Sequence, residues 1–147
     1  YLIHIFRNSS FKFVIASSME KKCILRQVKK YDNISFKNIS NNDNLNQLLA
    51  EAHINILFTF QKTGIKLKLM NCLYRGKHII VNNKMVSKTG LEDLCHQVSS
   101  ENEILKKTSE LFQMEYNEDF QIQRSLKLKD FSPLQSAYKI KSVISDY

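Results

Sequence analysis

Four short apolar runs divide the chain, and each has the length of a buried β-strand. They cover residues 11–16, 33–39, 53–60 and 78–82. Between these runs, apolar side chains recur every three or four residues, as in an amphipathic helix; Ile24, Leu25 and Val28 are one such set. Helices that alternate with strands are typical of a parallel sheet covered on both faces. The pattern predicts a doubly wound, three-layer α/β domain.

Capping chemistry and turn residues place the remaining elements. Residues 1–8 resemble the last turns of a helix, and residues 40–43 offer N-cap side chains for a helix that continues to Ala52. Capping boxes begin at Thr89 and Ser100. Further segments are predicted as a small edge strand (95–98), a charged helix (119–129) and a last helix (134–147). We therefore expect one domain over residues 1–147, with residues 118–147 as a helical C-terminal extension.

Residues 52–82 form the unit around which the chain is organised. A strand at 53–60, a turn containing Gly64, a helix at 66–75 and a strand at 78–82 predict a right-handed βαβ unit. Gly76 is expected to end the helix in a left-handed conformation. The free N–H groups of the first helical turn, near Gly64, favour a phosphate. A structural role for this glycine is the alternative.

The same segment resembles the donor site of GT-B glycosyltransferases of the group 1, family 4-like type that build bacterial surface polysaccharides. The resemblance rests on residues 63–76 (TGIKLKLMNCLYRG) and 77–82 (KHIIVN). Family members carry two Glu eight positions apart, and here Thr63 and Asn71 stand at those positions. Gly76 matches the glycine that ends the family's helix, and Lys68 matches a lysine of one subset. The resemblance implies a Rossmann-like domain, the C-terminal half of a GT-B fold.

The resemblance also implies site residues and partners. It assigns the donor diphosphate to Thr63, Gly64, Ile65, Lys66 and Lys68, and the ribose to Asn71. In the family the first Glu serves the transferred sugar and the second serves the ribose hydroxyls. Thr and Asn retain hydrogen-bonding capacity without the charge. The identity of the hexose, with mannose among the candidates, therefore stays open, as do the nucleotide and the acceptor.

Loops that follow the other predicted strands should reach the same edge of the sheet, because ligands of such sheets bind at the carboxyl ends of the strands. Turn and cap chemistry is the competing interpretation of these residues. The candidate base and ribose residues are Ser17, Ser18, Lys21, Ser40 and Asn41. Lys22 is a further candidate for the phosphates.

The predicted enzyme is a glycosyltransferase, a hexosyltransferase of retaining type by family resemblance, that transfers a sugar to a glycan or lipid-linked acceptor. The resemblance places the acceptor domain and the first strand before Tyr1, and any catalytic base with them. No transferase activity is then expected from these 147 residues alone. His53 and His78 fall at strand starts, away from the expected ligand. A non-catalytic, Rossmann-like nucleotide-binding or interaction domain is the alternative.

Composition and charge limit the classes of molecule that the chain is expected to bind. The net charge is +8, and residues 21–30 (KKCILRQVKK) concentrate five cations, so a peripheral contact with anionic lipid at the inner membrane face competes with an ordinary surface helix. Nucleic-acid binding is not expected, since no recognition motif accompanies the charge. Three cysteines without metal spacing predict reduced thiols in a cytoplasmic protein. The sequence shows no DxD motif, and no metal or cofactor is expected.

Overall fold

The computed structural model describes residues 1–61 and 66–132, together with residues 135 and 141. Within them, strands and helices alternate through the first part of the chain, and the last part is helical. The strands are Phe13–Ser17 (β1), Ile34–Asn38 (β2), Ile54–Leu57 (β3), His78–Val81 (β4) and His96–Gln97 (β5). The helices are Leu2–Phe6 (α1), Lys22–Val28 (α2), Asn42–Glu51 (α3), Leu67–Arg75 (α4), Asn83–Val86 (α5), Glu101–Phe112 (α6) and Glu118–Leu128 (α7).

All strand pairs in the described part of the chain are parallel, which confirms the predicted α/β class. β1 pairs with β2, with Phe13 opposite Ile34, and β3 pairs with β4, with Ile54 opposite His78. β5 adds to the far side of β4 as the predicted small edge strand. The ladders form two sheets, one of β1 and β2 and the other of β3, β4 and β5 in that order.

β4 is the centre of the core because every residue in it is buried. Ile79 and Val81 pack with Leu69 and Leu73 of α4 in one hydrophobic cluster. Ile80 points to the opposite face and packs in a second cluster with residues of α1, α2, β2 and α6. A strand buried on both faces needs apolar residues throughout, which explains the continuous run that the sequence shows. The second cluster also joins the two sheets.

Two of the three predicted helix caps form, whereas the cap predicted at Thr89 does not, because the 3-10 turn Glu92–Leu94 has Leu91 as its N-cap and no side-chain cap bond. The side chain of Asn41 accepts a hydrogen bond from the Asn44 N–H at 2.8 Å at the start of α3. Ser100 accepts from the Glu103 N–H at 3.2 Å at the start of α6, and the Glu103 carboxylate accepts in return from the Ser99 N–H. These bonds satisfy amides that a helix leaves free in its first turn, so local sequence fixes both starting points.

Gly76 ends α4 as expected, but the predicted left-handed conformation is wrong. Its φ is −81° and its ψ is 166°, an extended geometry that any residue adopts. Glycine is favoured here by space: a Cβ would lie 2.5 Å from Nδ2 of Asn55 and 2.9 Å from the carbonyl oxygen of Cys72. Close packing of α4 against β3 therefore explains this position.

The C-terminal part begins with α7, which matches the predicted charged helix at 119–129 within a residue at each end. A 3-10 turn at Lys129–Phe131 follows it. Nearly all of the predicted last helix at 134–147 lies outside the described residues. α7 packs beside α4, where Tyr74 donates a hydrogen bond to the Leu128 carbonyl at 3.2 Å.

Candidate functional site at the carboxyl edge of the sheet

The start of α4 lies beyond the carboxyl end of β3, where the βαβ unit was predicted to hold an anion. Lys66 is the N-cap residue, and among the described residues no side chain caps the first turn. Within the described ranges the amide groups of that turn have no side-chain partner, and the helix dipole favours a negative ligand beside them. Thr63, Gly64 and Ile65 lie outside the described residues.

α4 presents a polar face to solvent. Leu69, Cys72 and Leu73 are buried, while Lys68 and Asn71 are exposed. Residues three apart are neighbours on a helix surface, so Lys68 and Asn71 lie one turn apart on the same side. The two residues assigned to diphosphate and ribose thus share a face that begins at the candidate anion site.

The charge at this end of α4 is positive. Within the described ranges neither Lys66 nor Lys68 belongs to an ion pair. Lys66 is half-buried and Lys68 is exposed. Two cations and a helix N-terminus together attract phosphate more strongly than either feature alone.

The next strand contributes Asn82, to which the sequence analysis gave no role. Its side chain donates to the Thr59 carbonyl at 2.8 Å and accepts from the Thr59 N–H at 3.2 Å. These bonds tie the segment after β3 to the segment after β4, one residue beyond the ladder. The sequence feature that could have indicated this role is the position of Asn82 directly after a buried strand.

Several polar side chains at the ends of β1 and β2 form hydrogen bonds with residues close to them in the chain. Ser17 Oγ donates to the Met19 carbonyl and accepts from the Met19 N–H, both at 3.1 Å, whereas Ser18 and Lys21 are exposed. Asn41 caps α3, and Ser40 Oγ accepts from Asn44 at 2.8 Å.

A polar pocket of about 210 Å³ lies between the carboxyl end of β2 and α3. Its lining carries no sequence motif, because it is spread over a strand and a helix that only the fold brings together. The lining residues are Lys37, Asn38, Ile39, Asn44, Gln47 and Leu48.

The amino end of the sheet carries histidines, as predicted for His53 and His78. His53 immediately precedes β3, His78 begins β4 and His96 begins β5. These residues lie opposite the carboxyl edge, so they do not meet a ligand bound there. No set of three His, Cys, Asp or Glu side chains in the described residues is arranged to hold a metal ion.

Comparisons of the chain with protein-family models, curated proteins and solved structures give no match. The GT-B resemblance therefore stays a prediction from the motif at residues 63–82. Across the described ranges, no helix combines the length and the apolar character needed to cross a membrane.

Proposed function

We propose that the chain is the donor-binding half of a GT-B glycosyltransferase and binds the diphosphate of a nucleotide-sugar at the start of α4. One observation carries the proposal: α4 begins at the carboxyl end of a parallel strand with Lys66 and Lys68 beside amides that no described side chain caps. Ligands of doubly wound sheets bind at this edge. The motif at residues 63–76 adds the family resemblance.

Sugar transfer needs stabilisation of the leaving diphosphate while the bond to the anomeric carbon breaks. Helix amides and lysine ammonium groups supply this stabilisation when their positions are fixed before the reaction. In this proposal Lys66 and Lys68 contact the phosphates, and Asn71 hydrogen-bonds a ribose hydroxyl one turn further along α4. The acceptor, a glycan or a lipid-linked glycan, would bind in the other half of the enzyme.

Calorimetric titration of the chain with GDP-mannose and UDP-glucose tests the proposal, with guanosine and uridine as ligands that lack the diphosphate. A donor site binds one sugar nucleotide more tightly than its nucleoside. Lys68→Ala should weaken that binding by about 1–2 kcal/mol, the value of a charge-assisted phosphate contact. Lys106→Ala, which removes an exposed lysine from α6, is the matched control and should bind like the parent chain.

A non-catalytic nucleotide-binding or interaction domain is the second candidate. Two features favour it. Uncharged Thr63 and Asn71 stand where the family has carboxylates, and the side chains of Asn41 and Ser40 are engaged, the first by capping α3 and the second by accepting from the Asn44 side chain. Equal affinity for a sugar nucleotide and its nucleoside would support this candidate against the glycosyltransferase.

A further inference from the structure

Three histidines stand side by side at the starts of three neighbouring strands. In the strand register, Ile54 lies opposite His78, which places His53 beside His78, and Ile80 lies opposite His96. The ring centres of His53 and His78 are 5.1 Å apart, and those of His78 and His96 are 6.1 Å apart. We call these three side chains the histidine row. Their spacing follows from the parallel sheet, which brings together residues far apart in the chain.

His78 is the buried centre of the row. Its side chain is 4% exposed, and its Nε2 atom has no hydrogen-bond partner among the described residues. A hydrogen bond with the Met114 backbone favours the protonated ring and so raises the pKa of His78 in part. A neutral imidazole has one N–H group, and its other nitrogen can stay without a partner at a modest cost. A charged imidazole has two N–H groups, and a buried N–H without an acceptor costs more. Protonation of His78 would bury a second N–H for which the described residues offer no acceptor.

The end of α6 and the start of α7 rest on the row. His53 Nε2 hydrogen-bonds the Leu111 carbonyl at 2.9 Å. The ring of His78 packs edge-on against Tyr116 at 5.3 Å and lies 6.5 Å from Phe120. The imidazole rings of the row thus contact both the end of α6 and the segment that leads into α7.

The groups that face the row are mostly cationic. Arg124 of α7 is buried, lies 5.4 Å from the Tyr116 ring centre and acts on both His78 and His96. Lys107 and Glu110 of α6 form an ion pair and act on His96 with opposite sign, which leaves Arg124 as the unbalanced charge. Cys72, Cys95 and Tyr116 surround Arg124 as neutral groups, since burial raises the pKa of each. Added charge on the row would therefore be repelled.

The direction of the pKa shifts agrees with this geometry. Burial lowers the pKa of His78 below its ordinary value of 6.5; the Met114 hydrogen bond offsets part of this shift, and His53 and Arg124 lower the pKa further. Burial, followed by His78, Lys107 and Arg124, lowers the pKa of His96 as well. Both rings are thus neutral in the folded chain at a pH where they would be protonated in the unfolded chain. The packed state loses free energy of stabilisation as the pH falls below 6.5.

We propose that the histidine row is a pH-sensitive latch that keeps the start of α7 docked on the sheet while His78 and His96 are neutral and releases it when they are protonated. The latch acts on a segment attached to α4, because Arg124 donates to the carbonyls of Gly76 and Lys77 at the end of that helix. Acidification would therefore loosen the packing behind the candidate donor site as well. The proposal does not depend on what that site binds.

Hydrogen–deuterium exchange of the chain tests the latch at about pH 7.5 and about pH 5.5, after correction for intrinsic exchange rates. On going from the higher to the lower pH, the corrected exchange of α7 amides should rise about tenfold relative to that of α3 amides, which serve as the internal reference. His78→Asn keeps a donor for Met114 but cannot become charged, and it should abolish most of this difference. His4→Gln, which changes an exposed histidine on α1, should retain it.

Two results would overturn the latch: equal exchange of α7 at both pH values in the unmodified chain, or an undiminished pH effect in His78→Asn. His96→Gln gives the same test at the edge of the row if His78→Asn does not fold. An undiminished effect in that variant would likewise contradict the proposal.

Discussion

The carboxamide of Asn82 hydrogen-bonds both backbone groups of Thr59, donating to its carbonyl at 2.8 Å and accepting from its N–H at 3.2 Å. This side chain takes the place of a neighbouring strand where the β3–β4 ladder has ended. It therefore fixes the geometry of the chain just before the candidate donor site.

Replacing Asn82 with Ala should lower the free energy of unfolding by about 1–3 kcal/mol, because two partly buried backbone groups lose their partner. Urea denaturation measures the change. Asn83→Ala removes an exposed side chain at the next position and should stay within about 0.5 kcal/mol of the parent chain. Similar stability of the two variants would show that water replaces the Asn82 contacts.

Arg124 should be the most costly charged side chain to remove. It is 6% exposed, and it donates to the Gly76 carbonyl at 2.6 Å and to the Lys77 carbonyl at 2.7 Å. Arg124→Met keeps the aliphatic length and leaves both carbonyls without that donor, so we expect a loss of about 2–4 kcal/mol. Arg75→Met, an exposed arginine at the end of α4, is the control; a cost as large as that of Arg124→Met would contradict the structure.

The three cysteines should differ sharply in reactivity. Burial raises the pKa of Cys72 to about 12 and that of Cys95 to about 11, whereas Cys23 is exposed. Because the thiolate is the reacting form, a chromogenic disulfide reagent at neutral pH should modify Cys23 alone in the folded chain and all three in denaturant. Rapid modification of Cys72 before unfolding would be inconsistent with the packing of α4.

Stability should decline on acidification in two separate pH ranges. The lowered pKa values of His78 and His96 contribute stability above pH 6.5 that is lost as the pH falls through their folded values. Hydrogen bonds with Lys127 and Ser99 lower the pKa of Asp93 and Glu103, so their contribution is lost only near and below their ordinary values of 3.8 and 4.5. Urea midpoints measured from about pH 8 to about pH 3 should show the first decline before the second. A flat profile until the carboxylates titrate would contradict the assignment of His78.

Much of the fold was predictable because its signals are local. The run at His78–Val81 is apolar throughout and forms the fully buried β4, and Asn41 and Ser100 cap the helices that their spacing predicted. Strand ends were less accurate. β3 was expected to reach Phe60 but ends at Leu57, because Thr59 bonds the Asn82 side chain instead of a strand.

The missed features depend on contacts between distant residues. The need for glycine at position 76 follows from the approach of Asn55, and the polar pocket beside β2 requires α3 to fold back over that strand. The histidine row arises only when three strand starts are placed in register. Periodicity along the chain records none of these, since it describes each element apart from its neighbours.

The direct test of the proposed donor site is a nuclear magnetic resonance titration of the isotope-labelled chain with GDP-mannose and UDP-glucose. One of these ligands should shift the backbone amides of Lys66, Lys68 and Asn71, and its nucleoside alone should shift them much less. Amides at the opposite end of the sheet, such as that of His78, should stay unchanged. Shifts confined to that opposite end, or the same shifts with nucleoside alone, would contradict a diphosphate site at the start of α4.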